Sequence, residues 1–147
     1  IDSPFAALAY AMSLLADPTQ LPERREEADK RIRTAWASPS YLIAGRNTFD
    51  TEMIRGSAGL ALVKQGGEGV SVAVLPRLGL GIALKIDDGS SRARDVAMAA
   101  LVRRSGALTK ENWRRVAELE TIPVMTRAGR DVGMVRPAAD WLPYGAF

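Results

Sequence analysis

Neither cysteine nor histidine occurs anywhere in the sequence. That excludes disulfides, Cys/His metal sites and any catalytic triad that needs a thiol or an imidazole. Chemistry in this chain must run on Lys, Ser, Thr, Asp, Glu or backbone groups. Aromatic residues make up only 6%, and Trp36, Trp113 and Trp141 are scattered, which fits core or interface anchors better than a stacking platform. No apolar run nears the roughly 18 residues of a membrane helix, and no basic-then-apolar leader opens the chain, so a cytoplasmic location is the plain expectation. Charge of one sign is not concentrated either. The 20 basic and 17 acidic residues are interspersed and leave a net charge of +3, which describes a solvated surface and argues against a nucleic-acid or membrane partner. Ile1 stands where an initiator methionine would, so the sequence reads as a processed or trimmed piece of something longer.

What is present suits one compact unit. With 147 residues, 47% of them hydrophobic and 25% charged, the chain can bury a sizeable core; residues 1–147 are expected to form a single domain or half-domain. Phe5, Leu8, Ala9, Met12 and Leu15 recur at spacings of three and four behind the candidate caps Asp2 and Ser3, which predicts an amphipathic helix ending near Asp17 and Pro18. A second, largely exposed helix starts at Pro22 and runs to Ala37 with Ile32 and Trp36 facing inward. Helices thus occupy 3–37 and a loop 38–59, in which Asp50 caps a helical turn and residues 51–54 add a short helical stretch. Three β-type runs follow within 60–86, joined by short glycine- or proline-bearing loops, as consecutive antiparallel strands would be. Ser90 or Ser91 caps a helix through Arg104 whose apolar face is Val96, Ala97, Ala100 and Leu101. A further helix extends this region to 91–119, and a last strand lies at 132–136. The order is helices, an antiparallel meander, then helices packed on it: an α+β fold.

Three stretches carry residues suited to chemistry. Lys64 ends an apolar run and is followed by Gln65, Gly66 and Gly67, which places a cation where a strand gives way to a turn that a ligand can approach closely. An ordinary exposed lysine at a strand end explains the same residues. In the run from Lys85 to Arg92, Asp87 and Asp88 precede Gly89, Ser90 and Ser91. A turn followed by an N-cap accounts for it, since adjacent aspartates point different ways and do not form an acid/base pair. Lys85 alternates with apolar neighbours and belongs on the sheet face opposite Ile82, Leu84 and Ile86. The third stretch, Ala44 to Thr51, is a glycine-led polar segment that reads as a connection or a binding loop.

Together, in order and spacing, these stretches resemble the asparaginase II family. That family carries segments similar to aG-x-x-R-F-D-T-x-L/M-M, then K-x-G-A-E-G-V, then G-x-G-x-A-L-K-x-D-D-G-x-x-R-A. Here they read as Ala44 to Ile54, Lys64 to Val70 and Gly79 to Ala93. Two departures stand out: the arginine before Phe-Asp-Thr falls on Thr48, with Arg46 two residues earlier, and the alanine of the second segment is Gly67.

The resemblance implies the carboxy-terminal part of a serine β-lactamase-like fold and an L-asparaginase activity, asparagine to aspartate plus ammonia through a serine acyl-enzyme. Family members use a Ser-x-x-Lys pair, a second serine and a later lysine, with a zinc site of cysteines and a lysine. This sequence has no Ser-x-x-Lys, and only the later lysine has a counterpart, Lys64. The resemblance therefore implies that the nucleophile, and any zinc, belong to a missing amino-terminal half, and that Lys64 faces the absent serines on the inner strand. A lysine near a second ammonium and partly desolvated, here by Val63 and Leu62, loses its proton more readily and serves a serine as base. Gly66 and Gly67 would let the amide substrate lie along the strand edge, with Asp87 or Asp88 ordering a charged group of it. No cofactor is expected in this chain. Its expected partners are the missing half or, through an uncovered apolar sheet face, another copy of itself. The rival reading is a non-catalytic truncated or binding module of the same fold.

Overall fold

A computed structural model of the protein describes residues 4–38 and 45–141; the expected caps Asp2 and Ser3, and Ala44, lie outside them. Three helices come first: α1 (Pro4–Ala16), α2 (Glu23–Ala37) and α3 (Phe49–Gly56). The meander follows as β1 (Leu62–Gln65), β2 (Val70–Leu75) and β3 (Leu80–Lys85), paired antiparallel in the order β1-β2-β3. Then come α4 (Ser91–Ser105), α5 (Lys110–Val116) and a second, two-stranded antiparallel sheet of β4 (Ile122–Met125) and β5 (Asp131–Val135). The class is α+β, and no described helix is long and apolar enough to cross a membrane.

The register fixes what each face of the meander carries. Leu62, Val74 and Gly81 are cross-strand partners and share one face, with Lys64, Val72 and Ala83 two residues along. That face receives α1, which comes so close at Gly81 that a Cβ there would lie 2.2 Å from both Ala9 O and Ser13 N. The opposite face presents Val63, Gln65, Ser71, Ala73, Ile82 and Leu84, and α4 packs on it. Seven residues of α4 from Val96 to Val102 are all buried. Sequence periodicity assigns it one apolar stripe; instead it is enclosed all round, because the segment after α5 and β5 cover its outer side. Its alanines permit that approach. Arg103, near its end, bonds Glu120 at 2.8 Å and lies 5.7 Å from the Trp113 ring centroid. Among the described residues α1 lies across one face of the meander and α4 across the other, so neither face is bare as the sequence leads one to expect.

Local expectations fail where long-range packing decides. Ile32 is 53% exposed instead of inward, because the hydrophobic side chains of α2 that pack on the core are those of Trp36 and Ala37. Phe5 is likewise exposed, at 36%, whereas Met12 and Leu15 reach the core. Pro22 is the N-cap of α2 and not its first residue. Within 38–59 a full helix, α3, replaces the short turn at 51–54, and its N-cap is Thr48; Asp50 lies inside the first turn. The strand β4 has no counterpart in the sequence reading. Pro123 sits within it, and a proline argues against a strand except at an edge.

Gly81→Ala should destabilise the protein by about 1–3 kcal/mol, since the added methyl has only helix backbone to displace. Urea denaturation of the two proteins checks this.

Candidate functional site

The three motif stretches converge at one end of the meander. Lys64 and Gln65 close β1, and the turn to β2 is built from Gly66 to Gly69: Gly66 N donates to Val70 O at 2.8 Å and Val70 N to Gly67 O at 3.1 Å. Glu68 and Gly69 both have positive φ, 54° and 71°. Gly69 packs directly on the loop after β3, where a Cβ would lie 2.9 Å from Gly89 Cα, and Ile86 N donates to Gly69 O at 3.1 Å. The Lys64 turn and the Asp87–Asp88 turn are thus side by side because glycines at both positions remove the atoms that would separate them.

The first stretch joins through Asp50. Its Oδ2 accepts the Gln65 backbone N–H at 2.9 Å, and the residue is completely buried. β1 is an edge strand, and Lys64 O faces β2 by accepting from Ser71 Oγ at 3.4 Å, so the Gln65 N–H points off the sheet and needs this partner. Thr48 and Thr51 hold the start of α3, Thr51 Oγ1 donating to Gly45 O at 2.7 Å and Thr48 Oγ1 to the same oxygen at 3.1 Å. Thr48, where the family pattern has arginine, therefore serves the loop's own backbone, and Arg46 is exposed.

Gln65 is gripped from the other side by Arg94 of α4, whose Nη2 donates to Gln65 Oε1 at 2.5 Å and to Asp95 Oδ1 at 2.8 Å, with Nε on the same Asp95 oxygen at 2.9 Å. Arg94 is only 6% exposed. Burial pushes the Asp50 carboxyl above its ordinary value, against the lowering pull of the Gln65 N–H, Lys64 and Arg94, while Asp95 adds to the rise. Asp95 is also raised by burial, against its bonds to Arg94.

Lys64 itself is exposed, and its ammonium donates to Gln65 O. The partial desolvation expected from Val63 and Leu62 is not met, because both are buried in the core while the lysine stem leads away from it. Asp87 and Asp88 are exposed; Asp88 Oδ1 accepts from Ser90 N at 2.8 Å and Ser90 Oγ caps α4 by accepting from Ala93 N at 3.3 Å, the turn and cap read from the sequence. Lys85 lies opposite Ile82 and Leu84 by the same register. Gly66 and Gly67 are exposed.

Sequence reasoning missed the grip on Gln65. Arg94 was legible in principle, since it lies on the face of α4 marked by Ala97 and Leu101, and a cation on an apolar face requires a buried partner.

Compared with known protein families, residues 1–137 match L-asparaginase II. The chain belongs to that family. A search of curated proteins finds no match. Membership carries a relation to asparaginase-like amidohydrolases. The zinc that the resemblance implies does not fit here: the sequence lacks cysteine, and among the described residues no group of three or more Asp or Glu is placed to hold a metal.

The family's alanine at Gly67 is accommodated, since a Cβ there meets nothing within 4 Å and its φ is not positive. Gly67→Ala should therefore stabilise by about 0.4–1 kcal/mol through the unfolded chain. Gly69→Ala should destabilise by more than that. Thermal denaturation of both variants tests the contrast.

The raised carboxyl predicts a pH effect of definite sign. A group that binds its proton more tightly when folded makes its contribution greatest below the ordinary carboxylate range, and loses it as pH rises through the folded value. Asp50→Asn cannot titrate, so its stability should fall less than wild type as pH rises through that window, measured by urea midpoints across a pH series.

Proposed function

We propose that this chain is the lysine-bearing part of an asparagine-directed amidohydrolase of its family, with Lys64 its only residue acting directly in the reaction. The observation that carries this reading is the position of Lys64, exposed where all three motif stretches meet at the end of edge strand β1, in a chain that belongs to the L-asparaginase II family. The serine nucleophile comes from polypeptide outside this sequence, since no Ser-x-x-Lys occurs within it.

In the reaction, a serine hydroxyl attacks the side-chain amide carbon of asparagine and its proton passes to a base. Lys64 serves as that base or as the shuttle that delivers the proton to the departing nitrogen, which leaves as ammonia. Water then adds to the acyl-enzyme, and aspartate and the free serine result. Gly66 and Gly67 keep the strand edge clear for the substrate backbone. Asp87 and Asp88 serve first as structure, with a lesser role in ordering a charged substrate group.

One observation favours the rival reading of a non-catalytic binding module: Lys64 is exposed and already donates to Gln65 O. Kinetics of the full-length protein decide between the two. With asparagine, ammonia release should fall about 10²–10⁴-fold in Lys64→Ala with the melting temperature kept. Asp88→Ala should instead lower stability by about 0.5–2 kcal/mol and leave turnover in place. The 147-residue chain alone should release no ammonia above a no-enzyme control. Wild-type turnover in Lys64→Ala, or a dead but stable Asp88→Ala, would reverse these roles.

A further inference from the structure

Asp50 is an expensive way to satisfy one amide. A neutral asparagine or threonine could accept the Gln65 N–H at lower desolvation cost, yet a completely buried carboxylate stands there. Its second oxygen, Oδ1, has no hydrogen-bond partner among the described residues. The charged groups around it are Lys64 of β1 and Arg94 and Asp95 of α4. Arg94 is already engaged by Asp95 and by the Gln65 side chain. Lys64, by contrast, has three donor hydrogens and, among the described residues, donates to the carbonyl of Gln65, the very residue whose N–H Asp50 holds.

We propose that Asp50 is a positioning residue for Lys64: it fixes the Gln65 backbone on which the ammonium rests and supplies that ammonium with a nearby opposite charge. The inference rests on Lys64 being the reacting lysine, as proposed above. Two contacts hold the platform, the Asp50 carboxylate on the backbone N–H of Gln65 and the Arg94 guanidinium on its side-chain oxygen. Between them they fix the last residue of β1 in a strand that has a neighbour on one side only. Without such a grip an edge-strand terminus frays, and the lysine one residue earlier would sample orientations that do not react.

The test uses the full-length protein with carbon-13-labelled aspartate, and the Asp50 resonance is assigned by its loss in Asp50→Asn. In Lys64→Met the Asp50 midpoint should move up, as loss of a nearby opposite charge requires, while Lys64→Arg leaves it near wild type. In the same protein Asp50→Asn, which keeps an acceptor for the Gln65 N–H, should lower kcat with asparagine about 10²-fold at little change in KM. Lys64 is exposed, so its variants keep the fold; should Asp50→Asn fail to fold, the titration still decides, with the resonance assigned through the Gln65 amide. An unmoved midpoint in Lys64→Met beside an inactive Lys64→Ala overturns this inference and leaves the assignment of Lys64 standing. A moved midpoint beside a fully active Lys64→Ala overturns both, because no reacting lysine is then being positioned.

Discussion

The bond from the Gln65 amide to the buried Asp50 carboxylate is the contact on which this end of the molecule depends. An edge strand leaves every second N–H pointing away from its sheet, and such a donor must find water, a side chain or another chain. Here it finds an aspartate fifteen residues earlier in the sequence, inside the first turn of α3. That choice removes the donor from solvent and blocks further strand pairing at the same place. It also commits the fold to a buried acid, whose carboxyl burial pushes above its ordinary value while the amide, Lys64 and Arg94 pull the other way. The arginine is in turn balanced by Asp95. Three elements, the consecutive α3 and β1 and the more distant α4, are thereby locked through one residue, Gln65.

This lock works only because the sheet beneath it is held closely from both sides. On one face Gly81 admits the backbone of α1, which no residue with a side chain would permit. On the other, Ala97, Ala99 and Ala100 let α4 lie within a shell of strands and helices. Small residues at these two contacts convert a three-stranded meander, marginal by itself, into a stiff platform. The glycine contact between Gly69 and Gly89 then sets the two loops at its end against one another. Rigidity in the layers is what gives the loop residues fixed places.

How much of this was legible follows the range of each interaction. The meander, the turn at Asp88 and the cap at Ser90 are short-range features with strong residue preferences, and they appear where the sequence places them. Asp50 was read as a local cap because its neighbours suggest a helix start, whereas its partner is a strand residue that no local pattern indicates. Ile32 is expected inward beside Trp36 as an apolar residue of a polar helix, yet an apolar residue does not say whether anything packs on it. β4 was hidden by Pro123, which is tolerated because a two-stranded sheet has only edges. The family motifs mark three stretches that the fold brings together, but nothing in them indicates the contacts that join them.

The exposure of Lys64 is the one feature at odds with a finished reacting group, and its surroundings indicate how the two fit together. An amine set to exchange protons needs a drier environment than this edge provides, while its orientation has to be fixed before anything docks there. The described residues supply the second condition without the first: a gripped strand end, a carbonyl under the ammonium and a buried opposite charge nearby, with Lys64 itself open on one side. On the proposed reading, the missing desolvation arrives with the substrate and the polypeptide that carries the serine, because both must occupy that open side for the serine to reach the amide. Orientation is then built into this chain and desolvation is conditional on completion of the site. That division would keep the lysine solvated, and so unreactive, until substrate and nucleophile are both in place.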